Sequence, residues 1–225
     1  MNSSSYFEQF NIVWLFGFTN STIMMTFVII VVLLFFKGIE LIPKRWQSVY
    51  ECLENYFYYI TVQNLSNVGL IYFSFIVSLF VFLVFLNILG LCPYVFTPTT
   101  HIIVTLGFSF SIVIGVTFSG FYKFKKDFFS ILMPSGAPLI LAPLLVLIET
   151  VSYISRAVSL GIRLAANLSA GHLLFAILAG FGLVFKFAMF IMVFITLLEV
   201  AVAIIQAYVF CLLVQIYLTD TIFLH

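Results

Sequence analysis

Apolar residues run almost without interruption through residues 70–91 and 102–122, and a shorter run covers 21–36. At 1.5 Å per residue the first two are long enough for the roughly 30 Å of a bilayer's hydrocarbon, and the third sits at the lower limit. The pattern predicts three upright spans. Between Pro43 and Asn64 it changes: Trp46, Val49, Tyr50, Leu53, Phe57 and Ile60 recur at helical spacing, with Gln47, Ser48, Glu51, Glu54 and Asn55 between them. This predicts an amphipathic helix over 43–64, lying in the membrane interface.

After the turn signals Pro134, Gly136, Pro138 and Pro143 no proline follows, and residues 139–218 stay apolar apart from a weak break at 180–182. The pattern predicts a helical hairpin with arms at 139–180 and 184–218. Each arm would be about 60 Å long, roughly twice the hydrocarbon thickness. Either each arm splits into two spans or both tilt beyond the usual range of up to about 40°. No loop-forming cluster marks a split, so a long, strongly tilted C-terminal hairpin is expected, with the divided arrangement left open.

Composition agrees with the pattern. Of 225 residues, 64% are hydrophobic and 8% charged, with a mean hydropathy of +1.26, too few charges to cover a water-soluble surface. The fold class expected is an all-α integral membrane protein, one membrane domain over residues 1–225. A net charge of +1 offers no basic face for nucleic acid. Cys52, Cys92 and Cys211 have no paired spacing, which predicts neither a disulfide framework nor a metal site, and reads them as small core hydrophobes. The first 36 residues lack Lys and Arg, which argues against a secretory signal or transit peptide and predicts that the mature termini are those of the sequence. Lys37, Lys44 and Arg45 follow the first span and Lys123, Lys125 and Lys126 the third, whereas the loop CPYVFTPTTH has no Lys or Arg. By the positive-inside bias, 37–69 and 123–137 face inside and the N-terminus faces outside.

The hairpin also carries Glu149, Arg156, Arg163, His172, Lys186, Glu199 and Asp220, with Asn167 and Gln206 as polar company. A charge at membrane depth costs a few kcal/mol even on the mildest scale, and such residues mark ion or proton pathways. Glu149, Arg156 and Arg163 are spaced by seven, so they share a stripe that Asn167 extends by one turn; Glu199 and Gln206 are likewise seven apart. If Arg163 faces Gln206 across an antiparallel hairpin, Glu149 faces Asp220, and His172 falls within a turn of Glu199. Lys186, at the tip, reads as a snorkelling anchor. Asn87 reads as a packing hydrogen bond, and His101 and His225 as interface or solvent residues.

SLGIRLAANLSAGHLLF (159–175) together with LLEVAVAIIQAYVFCLLVQIYLTD (197–220) resembles the two most characteristic segments of the subunit a family of F-type ATP synthases, mitochondrial and closely related bacterial forms. YFEQFNI, NILGLCPYVFTPTT and LAPLLVLIETVSYISRAVSLGIR extend the resemblance over almost the whole chain. It implies a stator beside a rotating ring of c subunits, working with other stator and membrane-sector subunits. Two offset half-channels would carry protons to and from ring carboxylates. It also implies that the last two helices lie nearly along the membrane plane, that no cofactor is needed, and that ATP chemistry belongs to other subunits. By the same resemblance Arg163 matches the essential arginine, Gln206 and Asn167 its polar neighbours, and His172 and Glu199 the channel pair on the proton-rich side. Glu149 and Asp220 match acidic residues of the inner-side channel. The membrane implied is the mitochondrial inner membrane, with a bacterial plasma membrane as the alternative.

The residue types suit that chemistry. A guanidinium does not lose its proton at any relevant pH, so Arg163 can hold a ring carboxylate ionised without relaying protons itself. His172 lies nine residues from Arg163, off its straight face; it either relays protons or orients Glu199, and Gly171 could allow a bend there. Two rivals are a secondary carrier, for which the chain lacks internal repeats, and a structural respiratory-complex subunit, which would not need the Arg, Glu and Gln series.

Overall fold

The computed structural model describes residues 11–15, 17–36, 45–65, 69–92, 95–125, 142–182 and 186–222. Among them are six α-helices: α1 (Asn20–Phe36), α2 (Arg45–Leu65), α3 (Leu70–Gly90), α4 (Ile102–Phe124), α5 (Ala142–Gly182) and α6 (Lys186–Ile222). The chain is an all-α membrane protein. Four helices are long and apolar enough to cross a membrane, at Leu70–Gly90, Ile102–Phe124, Pro143–Gly180 and Met189–Ile222; α1 is apolar but shorter. Helix α2, the stretch predicted to be amphipathic, is the polar exception. It buries Phe57 and Thr61 while Val49, Tyr56 and Tyr59 stay exposed.

Helices α5 and α6 are unbroken over 41 and 37 residues, about 60 and 55 Å at 1.5 Å per residue. The divided arrangement left open by the sequence is therefore not the one adopted. Pro143 lies in the first turn of α5, where its missing N–H would have no intrahelical partner in any case. Hydroxyls on the outer faces of the apolar helices are satisfied locally: Ser78, Thr117, Thr150, Thr196 and Thr219 each donate to a carbonyl one turn back. That pattern removes the cost of carrying a hydroxyl into hydrocarbon.

One element was not expected. Strands β1 (Trp14–Leu15) and β2 (Phe18–Thr19) pair antiparallel ahead of α1, with Trp14 opposite Thr19. Gly17 in their turn takes φ 88°, a left-handed conformation that glycine adopts without a steric penalty. Two-residue strands are too short to show an alternating pattern.

The chain divides into two compact units. Unit 1 comprises residues 1–40, 79–105 and 162–209, and its core includes Val28, Leu83, Leu86, Leu164, Ala203 and Ala207. Here α1 packs on the 3₁₀ turn Pro98–Thr100, whose three residues are buried. Unit 2 comprises 41–78, 106–161 and 210–225, with Phe57, Ile76, Ala157, Leu160, Phe210 and Val214 in its core. Ser109 Oγ donates to the Ala157 carbonyl at 2.6 Å there, a contact that needs a small residue on each helix.

Candidate functional site

In unit 1, α5 and α6 bring polar side chains together at two successive levels. At the first, Asn167 Nδ2 donates to Gln206 Oε1 at 3.2 Å. Gln206 is 6% exposed, so losing Asn167 would leave a buried acceptor unmatched. One turn along α5, Gly171 meets Glu199: a Cβ on Gly171 would lie 3.0 Å from both Cδ and Oε1 of the carboxyl group. The carboxyl thus rests against the backbone of α5, an approach that only glycine leaves open. Glu199 Oε1 is buried without a hydrogen-bond partner among the described residues.

Two cavities adjoin this carboxyl. The first, about 330 Å³, is bordered by Asn87, Asn167, Gly171, Glu199, Ala203 and Gln206. The second, about 690 Å³, is bordered by Cys92, Phe96, His172, Phe175, Thr196 and Glu199. Leu91 and Glu199 belong to both, so Glu199 stands in the shared wall. His172 is half-buried, and its ring hydrogen-bonds the backbone of Gly90 at the end of α3. The loop beyond α3 is tied to α5, since Ser169 Oγ donates to the Thr100 carbonyl at 3.1 Å. Arg163 lies exposed on α5, one turn before Asn167.

Unit 2 holds a separate polar group. Arg156 Nη1 lies 3.5 Å from Asp220 Oδ2, with the two side chains 34% and 49% exposed. The Arg156 guanidinium also sits 5.4 Å from the ring centre of Tyr217, against which Tyr153 packs edge-on at 5.7 Å. Glu149 is half-buried in the second turn of α5. The described residues contain no group of three or more His, Cys, Asp or Glu able to hold a metal ion.

The family model described as the ATP synthase A chain matches residues 19–219. The chain belongs to that family. It is 63% identical to ATP synthase subunit a of Metridium senile over 230 residues, covering 99% of each chain. It is also 44% identical to subunit a of Marchantia polymorpha, over 97% of this chain and 98% of the relative. With subunit a of Emericella nidulans it shares 44% identity over 83% of this chain and 77% of the relative. As an ATP synthase A chain it is the proton-translocating stator subunit of the membrane sector, a multi-pass protein of the inner mitochondrial membrane.

Within this A-chain framework the predicted residues separate by unit. Asn167, His172, Glu199 and Gln206 gather in unit 1 as the spacing suggested, but the register differs. Gln206 bonds Asn167, one turn beyond Arg163 on α5. Asp220 pairs with Arg156 rather than facing Glu149. Constant register assumes straight helices and ignores charge; an acid draws the nearest base and not a second acid. One other expectation is corrected and two are made more specific. Cys52 and Cys92 are exposed and only Cys211 is buried, because burial follows position, a helix face for Cys52 and the loop after α3 for Cys92, and not the residue type. His101 is half-buried and stacks on Phe96 at 5.5 Å, held by the turn that precedes α4. Asn87 makes the expected packing bond, Nδ2 to the Ala203 carbonyl at 3.3 Å, and also borders a cavity, which the sequence reading missed. A lone amide in a span whose other polar side chains are only hydroxyls was the available signal. The side chain of Lys186, and His225, lie outside the described residues.

Proposed function

We propose that this A chain forms two offset half-channels carrying protons to and from carboxylates on a rotating ring of c subunits, and that ATP chemistry belongs to other subunits. The observation that supports this most directly is Glu199, a membrane-depth carboxylic acid standing between two cavities with His172 beside one and the Asn167–Gln206 pair beside the other. A group that can take a proton from one chamber and give it to the next is what a half-channel requires. The larger cavity is bordered by Cys92 and Phe96 of the loop that lacks Lys and Arg, so it would open on the outer, proton-rich side.

Arg163 would meet the arriving ring carboxylate. Ala166 and Ala170 are exposed along the same side of α5, and their small side chains let a partner helix approach closely. At about 4 Å and an effective dielectric near 20, the guanidinium and a carboxylate attract by roughly 4 kcal/mol. That is enough to keep the carboxylate ionised and weak enough for the next step of the ring to remove it. An ionised carboxylate cannot enter lipid, so it must be reprotonated through Glu199 and His172 before moving on. Protons that have travelled round would leave by the inner side through Glu149 and Asp220, the latter 3.5 Å from Arg156. A potential of 100 mV supplies about 2.3 kcal/mol per charge, biasing the rotation. Helices of about 60 Å would lie steeply tilted along the ring, since an upright helix of that length overshoots the bilayer twofold.

The test is the complex carrying Arg163→Ala, reconstituted in vesicles. Proton-driven ATP synthesis should be abolished, and Arg163→Lys should be severely impaired, because a desolvated lysine can lose its proton and lacks the fork geometry. Normal synthesis with Arg163→Ala overturns the reading.

A further inference from the structure

We infer that Asn87 is a positioning residue for proton uptake, its side-chain oxygen holding the water that passes protons from Glu199 toward the Asn167–Gln206 pair. This rests on the reading of Glu199 as a proton carrier.

Asn87 is 0% exposed. Its Nδ2 donates to the Ala203 carbonyl at 3.3 Å, and since a carbonyl can only accept, that bond fixes which way the amide points. Oδ1 is left buried with no hydrogen-bond partner among the described residues. Such an orphan in an apolar helix carries the full cost of a missing hydrogen bond unless water supplies it. Asn87 borders the cavity of about 330 Å³, against roughly 30 Å³ for one water in the liquid. Glu199, Asn167 and Gln206 border it too, so a water bound to Asn87 finds the two to four polar partners it needs. Glu199 Oε1 is the second orphan on the same wall.

The chemistry of the amide oxygen suits a relay. It accepts only, so a bound water donates one O–H to it and turns its lone pairs toward Glu199. When Glu199 gives its proton to that water, another proton leaves the water toward the ring carboxylate. Glu199 is left ionised, to be reprotonated from the larger cavity. A neutral oxygen guides this transfer without adding a charge that would trap the proton. Among the described residues, Glu199 is the titratable group bordering the smaller cavity, and His172 on α5 borders the adjoining one. Asn87 of α3 and Leu91 of the turn that follows it, also in the cavity wall, add none.

The experiment uses the whole complex in vesicles, with ATP synthesis per assembled complex measured against outer pH. Asn87→Leu keeps the volume and removes the acceptor. The outer pH for half-maximal rate should fall by about one unit, a tenfold greater proton requirement, as expected for one lost hydrogen bond. Asn87→Ser, which restores an acceptor, should return most of that shift. If the Leu variant does not assemble, Asn87→Ala takes its place and should titrate apart from Asn87→Ser in the same direction. A purely structural role, through the bond to Ala203, predicts less complex or a lower rate at every pH with the half-maximal pH unmoved; that result overturns the inference. Glu199→Gln separates the two levels. Unimpaired uptake in Glu199→Gln refutes the carrier reading itself, whereas blocked uptake there with wild-type titration in the Asn87 variants refutes only the role of Asn87.

Discussion

Gly171→Ala isolates one contact. A Cβ at this position would lie 3.0 Å from Cδ and Oε1 of Glu199 and 3.4 Å from its Cγ. Ordinary contact for such atoms is about 3.5 Å, so the carboxyl must retreat by about half an ångström or α5 and α6 must part. Overpacking of this size costs about 1–3 kcal/mol. Helix propensity pulls the other way, since alanine in a helix interior is favoured over glycine by about 1 kcal/mol. Backbone effects alone would therefore leave the complex as stable or more so, and a loss of rate would report the contact with Glu199. A net cost of about 1.4 kcal/mol borne by proton transfer slows it about tenfold. Proton-driven ATP synthesis per assembled complex should fall by about that factor, while the amount of complex on native gels stays near wild type. Glu199→Asp shortens the acid by one methylene and removes the clash, so the double variant should be less impaired than the two single losses multiplied together. Wild-type rates for Gly171→Ala, or strictly multiplicative losses in the double variant, would refute the claim that the carboxyl rests on the α5 backbone.

His172 and Glu199 share one cavity, so His172→Ala, Glu199→Ala and the double variant should show non-additive losses of proton-driven synthesis; additive losses would show that they do not act together. Cys92 and Cys52 are both exposed, and the basic loops place them on opposite sides of the membrane, so an impermeant thiol reagent added outside should label Cys92, spare Cys52 and slow proton uptake. Labelling of both from the same side would invert or break the proposed topology. The Arg156–Asp220 pair is only partly buried, so Asp220→Asn should change stability by no more than about 1 kcal/mol and leave assembly intact while lowering proton conduction. Loss of the assembled complex would make the bridge structural instead. Asn167→Ala leaves the buried Gln206 oxygen unpaired at a cost of about 1–3 kcal/mol, and should be milder in Asn167→Ser, which keeps a donor.

The sequence by itself determined the class of the protein and the order of its helices. Unbroken apolar runs can only be helices in lipid, where each backbone polar group must find its partner within its own segment, so composition and length suffice. The polar residues of the hairpin stand out for the same reason, because a charge among aliphatic side chains is conspicuous in a way that a charge on a soluble surface is not. Spacing was enough to put Glu199 near His172. Tertiary structure alone decided which polar groups meet. Antiparallel helices can slide by a turn at little cost in apolar packing, so register depends on particular contacts: Gln206 on Asn167, Asp220 on Arg156, and the carboxyl of Glu199 against Gly171. The two cavities, and the part taken in them by Asn87 and Cys92 from outside the hairpin, come from segments far apart in the chain. No pattern within a single segment encodes an empty space, because a cavity is defined by what its walls fail to fill.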